Sequence, residues 1–165
     1  MLYGKIFKGL VLLIGLAAIS NAADVVRYKT LGSDFPIAMA IEIPPNVTVV
    51  NLSGVVPSVI NPNATKGSLE AYGNTEQQTI SSLAGIEEVL NSIGLKIGDV
   101  IKMQVFLVGD PKLSGKIDFE GFMKGYRKFF GTKEQPNLPT RSVFQVAGLA
   151  NPAWLIEIEV SAVRK

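Results

Sequence analysis

The chain has 165 residues, 47% of them hydrophobic, with 16 basic and 14 acidic side chains and neither histidine nor cysteine. That length suits one domain around one core, and the near-balance of charge gives no electrostatic reason to expect nucleic acid or an anionic membrane as partner. Without His or Cys, Ser-His-Asp and Cys-His nucleophile systems and the usual zinc sites are excluded, so acid–base chemistry falls to carboxylates, Lys, Tyr or bound water.

The first stretch, MLYGKIFKGLVLLIGLAAISNAAD, sets Lys5 and Lys8 ahead of an apolar run from Leu10 to Ile19, then the small residues Ser20 and Ala22. This order predicts a secretory signal over residues 1–22, cleaved after Ala22, and a single exported domain over 23–165, periplasmic or secreted. The run falls short of the ~20 residues a spanning helix needs, so no membrane partner is expected after cleavage. Loss of Lys5 and Lys8 leaves 14 basic residues against 14 acidic ones.

PIAMAIEI and VTVVNLSGVV read as two strands separated by the turn-like residues 44–46. Residues 57–74 are rich in Pro, Asn and Gly, have no clean period, and are read as a loop. The N-x-S/T tripeptides at Asn46, Asn51 and Asn63 are read as chance occurrences. In NTEQQTISSLAGIEEVLNSIG, Ile80, Leu83, Ile86, Leu90 and Ile93 recur at steps of three and four, which predicts an amphipathic helix. Asn74 with Gln77, or Thr75 with Gln78, has capping-box spacing, and Gly94 marks the stop. Residues 100–108, VIKMQVFLV, read as a strand, and DFEGFMKGYRKFFG as a second helix from the N-cap Asp118 to a stop at Gly131. Its Phe119, Phe122, Tyr126 and Phe129 share a face and are read as core. Two helices among mixed strands predict an α+β fold, both helices lying on one face of a mixed sheet.

Two further strands, LPTRSVFQVAGL and WLIEIEVSAV, carry charge among apolar residues. Alternation groups Arg141, Val143 and Gln145 on one face, opposite Ser142, Phe144 and Val146. It likewise groups Leu155, Glu157, Glu159 and Ser161 opposite Ile156, Ile158 and Val160. With the apolar faces under the helices, Arg141 and both glutamates are expected together on the helix-free face. There they are either a surface ion pair of ~0–1 kcal/mol or a site. In the site, an arginine fork grips a carboxylate while an acid handles water. Alternation cannot choose between Glu157 and Glu159.

PTRSVFQVAGL followed by IEIEVSAVRK resembles the C-terminal signature of the RidA/YjgF family of imine/enamine deaminases. VVNLSGVVP, GNTEQQTISSLAGIEEVLNSIGLKIGDVIKMQVFL and DFEGFMKGYRKFFG extend the resemblance over nearly all of 23–165. It implies a chorismate-mutase-like α+β fold and a homotrimer with a central barrel, helices outside and sites in the clefts between subunits. The implied activity is cofactor-free hydrolysis of reactive 2-imino acids, such as 2-iminobutanoate, to 2-oxo acids and ammonia, with no metal.

By the same resemblance, Arg141 matches the arginine that binds the substrate carboxylate, and Glu157 matches the glutamate associated with the attacking water. Ser53 and Gly54 match the pair that lines the pocket. Val143 is a further pocket position, where the family often carries cysteine. Ile37 replaces the usual tyrosine, Met123 replaces a helix asparagine, and the segment between Arg141 and Glu157 is about one residue longer. These exchanges remove polar supports and keep an alternative open: a non-catalytic exported module on the same fold that binds small carboxylate ligands or a protein.

Overall fold

The computed structural model describes residues 24–165; the expected leader, residues 1–22, lies outside them. The chain forms β1 (Val26–Lys29), β2 (Ala38–Glu42), β3 (Thr48–Asn51), α1 (Leu69–Tyr72), α2 (Thr75–Ser92), β4 (Val100–Val108), α3 (Phe119–Tyr126), β5 (Thr140–Val146) and β6 (Ile156–Arg164). β1 and β2 make an antiparallel pair, and the main sheet runs β3-β6-β4-β5. β4 and β5 are parallel, with α3 in the crossover, while β6 is antiparallel to both β3 and β4. The expected α+β architecture stands, with α2 and α3 contributing to one core against one face of the sheet.

Local chemistry explains most boundaries. Asn74 and Gln77 form the capping box: the Gln77 amide donates to the Asn74 side chain and the Asn74 amide to the Gln77 side chain, each at 3.0 Å. The Gly121 amide donates to Asp118 at 2.8 Å, capping α3. On α2, Leu83, Ile86 and Leu90 are fully buried, whereas Ile93, at the helix end, is 39% exposed.

Three elements depart from expectation. α3 ends at Tyr126, not at the expected stop Gly131; the chain leaves through a turn in which the amides of Phe129 and Phe130 donate to the Tyr126 carbonyl. Phe130 therefore enters the core, while Phe119 stays exposed. A short helix, α1, forms inside the expected loop, seating Tyr72 against Trp154. The strand β1 was missed because four residues, VRYK, hold too little alternation to register. Tertiary contacts fix it: the Arg27 guanidinium donates to the carbonyls of Gly98, Val100 and Leu138 at 3.1, 2.9 and 2.7 Å. Among the described residues, no helix is long and apolar enough to cross a membrane.

One buried polar side chain joins α2 to the start of β6. Gln78, fully buried, donates to the carbonyls of Gly73 and Ala153 at 3.0 Å each and accepts from the Leu155 amide at 2.7 Å. Gln78→Ala strands three backbone groups at once. Each unsatisfied group costs about 1–3 kcal/mol, so denaturant unfolding should show a loss of about 3 kcal/mol or more.

Candidate functional site

β5 fixes the direction of Arg141 through its parallel pairing. Arg141 lies opposite Met103 and Val143 opposite Val105, and both β4 residues are fully buried in the core that α2 and α3 cover. The Arg141 side chain thus rises on the helix side of the sheet, into a box of rings. Its guanidinium carbon sits 4.2 Å from the Tyr126 ring centroid, 4.9 Å from Phe122 and 5.4 Å from Phe35. Nη2 points at the Met123 sulfur, 3.3 Å away, and Nη1 is buried without an acceptor among the described residues.

The electrostatics follow from that enclosure. Burial lowers the Arg141 pKa from the ordinary arginine value, partly countered by attraction to Tyr126. Ring faces attract a cation, but a thioether is a weak acceptor, so the fork retains unspent hydrogen-bonding capacity. A cleft of ≈ 420 Å³ borders the Arg141 position where β2 meets β5, walled by Ile37, Ala38 and Met39, by Thr140 and Ser142, and by the cation Lys102. A desolvated cation with no ion pair among the described residues is suited to receive an anion.

Glu157 occupies the other side of the sheet. In β6, Ile156, Ile158 and Val160 are buried while Glu157 and Glu159 are only half-buried, as alternation requires. Glu157 pairs with Phe106, which in turn pairs with Phe144, and the two rings stack at 6.2 Å on the helix-free face. The expectation that Arg141 shares this face is corrected: within one chain the sheet lies between arginine and acid. β5 carries apolar residues on both faces, so Phe144 and Val146 pointed to the wrong one as core.

The other expected site residues divide between these two places. Glu157 lies over Gly54: a Cβ there would meet the Glu157 carboxylate, so the carboxylate keeps its present place only above a glycine. Val55 bridges to Ile158 and holds exposed Ser53 and half-buried Gly54 at that point. Val143 packs against the core on the Arg141 side. Glu159 instead faces a separate cleft of ≈ 220 Å³ with Lys102, Gln104, Asn51 and Ser161, which distinguishes the two glutamates that alternation left equivalent. Among the described residues, no group of three or more acidic side chains gathers as a metal site.

Sequence reasoning read Phe122 and Tyr126 as plain core and passed over Phe35. The available signal was their spacing of four on α3, but which strand side chain they meet is decided only by the register of β5. Burial also pushes the Tyr126 phenol up to about 12, although the nearby Arg141 charge pulls the other way. The folded state therefore holds this proton longer than the unfolded chain. The associated stability is complete below the ordinary tyrosine value near 10 and is lost as pH rises through 12. Denaturant titrations should show a loss of about 2 kcal/mol across that window. Tyr126→Phe, which has no proton to lose, should flatten that part of the slope.

Residues 40–164 match the family model described as Endoribonuclease L-PSP. The 2-iminobutanoate/2-iminopropanoate deaminase of Escherichia coli K12 is 34% identical over 113 residues, covering 68% of this chain and 77% of that protein. A RutC family protein of Haemophilus influenzae is 33% identical over 117 residues, covering 71% and 80%. The crystal structure of E. coli TdcF with bound serine superposes with a TM-score of 0.56 at 28% identity, covering 79% of this chain and 93% of that one.

Proposed function

The chain belongs to the endoribonuclease L-PSP family, the RidA/YjgF family that its motifs resemble, and from that premise we propose that it hydrolyses reactive 2-imino acids to 2-oxo acids and ammonia. The observation that carries the reading is the Arg141 box: a buried guanidinium with Nη1 unpaired and no ion pair among the described residues. That arrangement suits the carboxylate that every 2-imino acid carries next to its reactive carbon.

The chemistry then needs little else. The iminium carbon is already electrophilic. Water adds to it while Glu157 takes one proton and passes it to the nitrogen; the carbinolamine then collapses, its C–N bond breaking as the hydroxyl proton goes to Glu157 and on to the departing ammonia, leaving ammonium and the 2-oxo acid. Arg141 contributes by positioning and by holding the carboxylate away from bulk water.

Because the sheet separates Arg141 from Glu157 in one chain, the working site pairs Arg141 of one copy with Glu157 of another, as a homotrimer with shared clefts would. An apolar patch beside Glu157 supports this: Phe144, stacked on Phe106, is 46% exposed and would be covered by a second copy. Export, directed by the expected leader, completes the proposal.

The test generates an imino acid in situ and follows ammonia release with and without the purified protein. A rate no higher than buffer alone, across several imino acids, ends the deaminase reading. The separation of arginine and acid favours one other reading, a module that binds carboxylates without turnover. Calorimetry with 2-oxo acids distinguishes it: binding that needs Arg141 but not Glu157, without ammonia release, selects the module.

A further inference from the structure

An arginine fork recognises a carboxylate by direction, and in most proteins an acidic neighbour sets that direction. Arg141 has no ion pair among the described residues. Its aim is set by rings, and one ring makes a contact the others do not. Tyr126 lies nearest the guanidinium, at 4.2 Å, and its hydroxyl donates to the Pro36 carbonyl at 2.8 Å in a buried hydrogen bond. Pro36 follows Phe35, whose ring is the third wall of the box, 5.4 Å from the guanidinium carbon. Tyr126 therefore contacts the cation with its ring and anchors, through its hydroxyl, the segment that brings Phe35 to the same cation.

We infer that Tyr126 is a positioning residue for the carboxylate-binding fork, coupling the orientation of Arg141 to the Phe35–Pro36 segment. The inference rests on the reading of Arg141 as the carboxylate-binding group. A buried tyrosine hydroxyl takes a partner in any core; what sets this one apart is that its partner is the carbonyl next to Phe35, another ring of the box. The phenol, held protonated by burial, keeps the tether across the whole range of ordinary assay pH. The neighbouring Met123 contact sets no competing direction, because sulfur accepts hydrogen bonds weakly and over a broad angle.

The experiment measures 2-oxobutanoate affinity by calorimetry and imine-hydrolysis kinetics for wild type, Tyr126→Phe, Tyr126→Leu, Phe35→Ala and Arg141→Ala. Tyr126→Phe keeps the stack and cuts the tether, so affinity should fall about 3- to 10-fold. KM should rise by a similar factor with kcat within about twofold, the pattern of lost uniform binding. Amide exchange over residues 30–37 should quicken. Tyr126→Leu removes stack and tether together and should lower affinity about tenfold or more. If that variant does not fold, Phe35→Ala, at the one box ring that is exposed, replaces it with an expected loss of about threefold.

Wild-type affinity in both Tyr126→Phe and Phe35→Ala, alongside loss in Arg141→Ala, overturns the positioning role and leaves the carboxylate reading intact. Wild-type protein that neither binds the oxo acid nor turns over an imine, or Arg141→Ala that binds unchanged, overturns the reading and this inference with it.

Discussion

Arg141→Ala should lower kcat/KM for imine hydrolysis by about 100-fold or more, because a charge-assisted fork on a buried carboxylate contributes several kcal/mol. Arg141→Lys should recover less than about a tenth of the lost activity: an ammonium keeps the charge but cannot form the planar fork or lie flat against Tyr126 and Phe122. The same substitution should cost little stability. Burial already depresses the Arg141 pKa, so the cation sits in its box at a cost that removal relieves, offsetting the packing lost with its stem. Thermal melting beside steady-state kinetics checks both halves. A variant that loses its fold in step with its activity would mark Arg141 as a structural residue instead.

Glu157→Gln should reduce kcat by about 100- to 10,000-fold with little change in KM, the expected loss when a general base is replaced by its amide. The decisive measurement mixes the two inactive variants. Arg141→Ala and Glu157→Gln chains, unfolded and refolded together in equal amounts, should regain about a quarter of wild-type activity. In a cyclic assembly each shared cleft draws its arginine and its acid from two independent one-in-two choices. If each site lay within one chain, no mixture could restore it. Activity that stays at the level of the separate variants therefore removes the shared cleft, and with it the role proposed for Glu157.

The boundary between legible and illegible parts runs through particular residues. The strand 100–108 has the bounds the sequence suggests, and the Asn74 and Asp118 caps form as spaced, because these features depend on neighbours within a few positions in the chain. The alternation of β6 was equally readable, since Ile156, Ile158 and Val160 contrast with Glu157, Glu159 and Ser161 on the other face. β5 offered no such contrast: Val143 lies on one face, Phe144 and Val146 on the other. A strand with two half-apolar faces has no preferred inside until a partner strand supplies one.

The order of the main-sheet strands and of the two long helices, their local caps, the absence of histidine and thiol chemistry, and the oddity of Arg141 and the two glutamates came from residue type and short-range spacing, whereas the choice of Glu157 over Glu159 came from the family resemblance. The tertiary structure alone decided that Arg141 enters a box built by Tyr126, Phe122 and Phe35, that Glu157 and not Glu159 lies over Gly54, and that arginine and acid face opposite ways. The reason is register: the parallel seating of β5 on β4 sets which side each β5 residue takes, and that choice is made by packing between elements some 40 residues apart in the chain, as Met103 opposite Arg141 shows.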